Sequence, residues 1–182
     1  MSYADACMET LDYSLQPVVE ALRVGPLADT PVNYYSYKSL SYNMDKNNVS
    51  RPAVVVSYRN IPNGTGSRIA GPYYMITRVG AVIYVEAPIS VSVEDSSTID
   101  TYGGREYMLQ PITRAVENWI RSNPALVVPD VVRYVDGDDS NAELFPYDTL
   151  DLRWDNPFRL SLRRDEYERF TYFLIIEYLE VQ

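Results

Sequence analysis

Eight carboxylates between Asp130 and Asp155 form the densest group of potentially reactive side chains: Asp130, Asp136, Asp138, Asp139, Glu143, Asp148, Asp151 and Asp155. Arg133 and Arg153 offset them to a net −6, two-thirds of the chain's total of −9. Within this segment Asp136-Gly137-Asp138-Asp139-Ser140-Asn141 has the oxygen-rich look of a calcium or magnesium loop. An EF-hand needs glycine at its sixth position and glutamate at its twelfth, where this chain has Asn141 and Tyr147. A solvated acidic loop is the reading those departures favour.

Other chemistry fares no better. Histidine is absent, which removes imidazole ligands and every nucleophile–histidine pair. Gly64-Thr65-Gly66-Ser67-Arg68 is rich in glycine, yet it lacks the Gly-Lys-Ser/Thr ending of a P-loop and falls between two strand patterns. Asp165 and Glu166 are sequence neighbours that face different ways in an extended chain. Cys7 is the single cysteine, so no intramolecular disulfide can form. Asn48-Val49-Ser50 and Asn63-Gly64-Thr65 match the glycosylation pattern, and without a secretory signal both are read as chance. The residues therefore nominate no catalytic, cofactor-binding or metal-ligating position.

With 182 residues the chain has the size of one domain. Neither a signal peptide nor a run of about 20 apolar residues is evident, so no membrane partner is expected. An acidic balance argues against a basic surface that wraps nucleic acid. The cations are 14 Arg against 2 Lys, a bias suited to fixed, bidentate ion pairs.

The elements that must carry these residues can be followed in order. Met8, Leu11, Leu15, Val18 and Leu22 recur every three or four positions, which predicts a helix from about Asp5 to Arg23, capped by Ser2 or Asp5, ended by Gly25-Pro26 and kinked or divided at Pro17. The segment 32–50 is a Tyr/Ser-rich loop; Tyr34, Tyr35, Tyr37 and Tyr42 could cover the domain's own sheet or meet a second subunit. A strand is expected at Pro52–Arg59 and a flexible loop at 60–71. From Tyr73 to Glu94 apolar residues alternate, as one long strand weakened at Gly80 or as a hairpin arm, with Pro88 forcing an edge, a bulge or a bend. A second helix follows Gly103-Gly104, with Leu109, Ile112, Val116 and Trp119 inward and Asn123-Pro124 as its exit. Val127–Val135 and Leu150–Trp154 read as strands, and an acidic loop insertion occupies about 136–165.

The last strand, from Arg169 to Val181, is apolar on both faces. Phe170, Tyr172, Leu174, Ile176 and Tyr178 point one way; Thr171, Phe173, Ile175, Leu179 and Val181 point the other. Such a strand needs cover on both sides, and a partner subunit is one source of it. The fold class is α+β: a mainly antiparallel twisted sheet packed by two amphipathic helices, with long loops or a hairpin arm.

This order resembles the tail terminator proteins of tailed bacteriophages. The resemblance is carried by the Met8–Leu22 helix, the Pro52-Ala53-Val54-Val55-Val56 strand and the long strand ending near Ala87-Pro88. It continues through the second helix with its Asn123-Pro124-Ala125-Leu126 exit and the Thr171–Tyr178 strand. It implies a non-enzymatic virion protein of the tail or neck, assembled in the host cytoplasm as a homo-oligomer, a hexameric ring. The ring's partners would be the tail tube protein, a sheath where there is one, and a connector or neck protein on the head side. DNA would only pass through the lumen. Another neck component, for head closure or tail completion, is the close variant; a carboxylate-based metal-dependent enzyme is the alternative of a different class.

Overall fold

The computed structural model describes residues 2–39, 49–59, 68–71, 74–133, 148–164 and 166–181. Helix α1 spans Tyr3–Glu20. Ser2 opens it with a reciprocal cap: its Oγ accepts the Asp5 N–H at 3.1 Å, while its own N–H donates to the Asp5 carboxylate at 3.2 Å. Met8, Leu11 and Leu15 are fully buried, each contributing about 1.5–3 kcal/mol of transfer free energy. Pro17 does not divide the helix. It stands one turn from the end, where its missing donor costs a single hydrogen bond. The helix stops at Glu20 rather than Arg23, because Arg23 turns back and donates from its guanidinium to the Glu20 and Leu22 carbonyls. Gly25, with φ +96°, then turns the chain between two short strands, β1 (Arg23–Val24) and β2 (Thr30–Pro31).

The main sheet contains β3 (Asn33–Tyr35), β4 (Ala53–Arg59), β5 (Arg68–Gly71), β6 (Tyr74–Pro88), β9 (Ala125–Val127), β10 (Thr149–Arg163) and β11 (Tyr167–Val181). Its order is β3-β4-β6-β11-β10-β9, with β5 also on β6; β3 runs parallel to β4 and every other pair is antiparallel. Strand β6 runs through Gly80 without turning, so the one-long-strand reading holds there. Pro88 ends it. Beyond Ile89 the chain leaves the sheet as a separate two-stranded arm, β7 (Ser90–Asp95) and β8 (Thr98–Gly103). The hairpin is thus real but lies past Pro88 rather than at Gly80.

After the arm, a π-helical turn (Arg105–Leu109) leads into α2 (Gln110–Ser122). Leu109, Ile112, Val116 and Trp119 are buried as their spacing requires, and Asn123 caps the C-terminus. Helices α1 and α2 lie together on one face of the sheet, joined by the Trp119 indole donating to the Ser14 hydroxyl at 3.0 Å. Tyr172 donates from beneath to Glu117 at 2.9 Å. The core forms between these helices and Val54, Val56, Ala81, Ile83, Val85, Phe170, Leu174 and Ile176.

Further segments differ from the sequence reading: of the loop expected at 60–71, Arg68–Gly71 is strand β5, paired with β6. The strand expected at Val127–Val135 does not continue past Val127 in the described residues: Pro129 follows β9, and its carbonyl accepts from Val132 and Arg133 to form the one-turn helix α3 (Asp130–Arg133). Residues 134 and 135 lie outside the described residues. The expected loop insertion at 136–165 is cut short, because Thr149–Arg163 is strand β10. Its register shifts at Trp154/Asn156 and at Asn156/Leu160 break the alternation by which strands are recognised. The Tyr/Ser-rich loop at 32–50 contains β3, held parallel to β4.

Candidate functional site

Among the described residues the sheet has one face under the helices and one without them. On the second face the sequence places Ala53, Val55, Ser57 and Arg59 from β4 beside Arg78, Val82, Tyr84 and Glu86 from β6; β11 adds Arg169, Thr171, Phe173, Ile175 and Glu177. The terminal strand's second apolar face therefore does need cover. Much of that cover is arginine from the same chain. Arg59 lies 4.0 Å from the Phe173 ring centre, Arg169 lies 4.5 Å from that of Tyr84, and Arg51 lies 3.7 Å from that of Tyr167.

Two glutamates anchor this layer. Glu86 is fully buried and accepts from Arg51 Nε at 2.9 Å and from Arg169 Nε at 2.8 Å. Glu177, also buried, accepts from Arg78 Nε at 2.7 Å and lies 2.8 Å from Arg153 Nε. A carboxylate inside a sheet is tolerable when two guanidiniums answer its charge. At the margin of the helix-covered face Glu168 pairs with Arg105 and raises that guanidinium's pKa by hydrogen bonding. The arginine bias thus serves fixed ion pairs, and those described lie within the subunit. Over most of their length β6 and β11 are paired on both sides: β6 lies between β4 and β11, β11 between β6 and β10.

The described tyrosines of segment 32–50 lie against their own domain. The Tyr34 hydroxyl donates to Asp12, Tyr35 accepts the Ser50 N–H at 3.0 Å, and Tyr37 meets Tyr58 edge-on at 5.3 Å. Asp12 is a buried carboxyl on α1 that desolvation pushes up to about 6, with the Tyr34 hydrogen bond opposing. Asp5, by contrast, is held below the usual carboxylate range by hydrogen bonds from Tyr58 and Ser2.

The reactive candidates can be placed in part. Asp136, Asp138, Asp139, Ser140, Asn141 and Glu143 lie outside the described residues, as do Gly64 to Ser67, Asp165 and Tyr42. Asp130 opens α3, Asp148 pairs with Arg133, and Asp151 lies opposite Glu177 across β10 and β11. Burial pushes the Cys7 thiol up to about 12, which leaves it a small apolar core residue. Among the described residues no three of Cys, Asp and Glu stand together as metal ligands, and no helix is long and apolar enough to cross a membrane.

Among the described residues the arm stands apart from the main sheet and its helices. Val91 at its root packs on the core, Tyr102 meets Tyr107 edge-on at 5.2 Å, and the Gly104 N–H donates to the Ile89 carbonyl at 2.7 Å. Beyond that root, residues 94–101 are all exposed, Ile99 at 68%. A two-stranded hairpin is marginal in water without a surface to lie on. Sequence reasoning missed β8 because Thr98-Ile99-Asp100-Thr101 has no buried face to impose an alternation. No family model matches the chain, and no curated protein matches it at a significant level.

Proposed function

We propose that this chain is a structural virion protein, a tail terminator subunit whose copies form a hexameric ring at the top of a phage tail tube. The ring would end tube polymerisation and dock to the head-side connector; a head-closure or tail-completion protein is the near variant. The arm carries this reading. It projects from a body whose described core residues pack without its tip, as expected of an element that joins neighbours. An α+β body with two helices on one sheet face agrees with the resemblance seen in the sequence. The net charge of −9 suits a channel that DNA traverses without adhering.

Negative-stain imaging of the purified protein tests the proposal. Rings of six with an open centre are the expected particles; a field of single subunits at every concentration would refute it.

A further inference from the structure

We propose that the arm of one subunit lies along the outward face of α2 of the next, its carboxylates meeting Arg114 and Arg121. The proposal rests on the ring reading and names the contact that would hold the ring. Ser90–Gly103 carries Glu94, Asp95 and Asp100 and no cation. Glu94 and Asp100 have no cationic partner among the described residues. The arm is a free −3 projection that carries one exposed large aliphatic side chain, Ile99.

The complementary charge lies on α2. Arg114 and Arg121, seven residues apart, share its solvent face, and both are exposed. Arg114 has no carboxylate partner among the described residues, and Arg121 approaches Glu117 no closer than 3.8 Å. Glu117 is drawn inward by the Tyr172 hydroxyl, so the arginines set the outward potential. Beside them Gln110, Thr113, Arg114 and Glu117 line a groove of about 240 Å³. Lengths match as well: thirteen helical residues and six strand residues each extend roughly 20 Å. The arm and α2 are different surfaces, so the contact is head-to-tail, the kind that closes into a ring. Arg163 and Arg164, also exposed, belong instead to the turn at the arm's own root, where Ile89 N–H donates to the Glu166 carbonyl.

Charge exchange followed by light scattering tests this. The arm variant Glu94→Lys/Asp100→Lys and the helix variant Arg114→Glu/Arg121→Glu should each lose assembly, at least tenfold in the concentration needed. Mixed in equal amounts they should reassemble, because each arm then meets a helix of opposite charge. Circular dichroism confirms that each variant is folded before mixing. If the unaltered protein assembles and either variant assembles equally well, or the mixture stays apart, the contact is wrong while the ring reading survives. If the unaltered protein is a single subunit throughout, both fall.

Discussion

Glu86 and Arg169 stand directly opposite one another across β6 and β11, the carboxylate with no exposed surface and the guanidinium folded over Tyr84. Arg51 reaches the same carboxylate from the segment before β4. One buried anion thus ties three stretches of chain on the face without helices. Replacing it by Glu86→Gln removes the buried charge that two largely buried guanidiniums share, and we expect a loss of about 3 kcal/mol in urea unfolding. Glu177→Gln should cost less, about 1 kcal/mol, because Arg153 is largely solvated. Equal losses at the two sites would show that burial does not govern these pairs.

Asp12 predicts a pH dependence of stability. Its ordinary value is 3.8, and burial raises it in the fold to about 6. The folded state therefore holds this proton after the unfolded chain has released it. Stability from this group is fully present below about pH 4, falls as pH rises, and is lost above about pH 6. Asp12→Asn removes the titration while keeping an acceptor for Tyr34. Relative to the unaltered protein the variant should gain about 2–3 kcal/mol between pH 4 and pH 7, read from unfolding curves at both. A pH-independent difference would contradict the burial argument.

Gly104 fixes the arm's root. A Cβ at this position would stand 1.6 Å from the Pro88 carbonyl oxygen, a backbone atom that cannot swing aside. Gly104→Ala should therefore displace the arm and destabilise the subunit by about 3 kcal/mol, in the range of overpacked sites. Thermal unfolding measures the loss. Gly103→Ala, with open space around its Cβ, is the matched control and should be nearly neutral.

The acidic segment offers a separate test of the proposed DNA channel. Replacing Asp136, Asp138 and Asp139 with Asn should leave ring assembly intact and alter DNA retention or passage. Collapse of the ring would assign those residues to assembly instead.

The two helices were legible because each presents one apolar stripe to one surface, as Met8, Leu11 and Leu15 do in α1. Strand β6 was legible because its inward residues recur every second position, and β4 and β11 because they are apolar runs rich in β-branched and aromatic residues. The arm's second strand was not, since Ile99 and Asp100 are both exposed and nothing enforces a pattern. In β10 the register shifts on either side of Asn156 scramble the alternation that Leu150 and Leu152 begin. The arginine layer was visible as composition only. Which carboxylate each arginine meets depends on strand register, and Arg169 and Glu86 are 83 residues apart.

Multi-angle light scattering on the unaltered protein tests the central claim most directly. Six copies of 20.8 kDa give a particle of about 125 kDa, and that is the mass expected in dilute neutral buffer. A constant mass of 20.8 kDa over a hundredfold range of concentration, roughly the span that would reveal weak association, would contradict it.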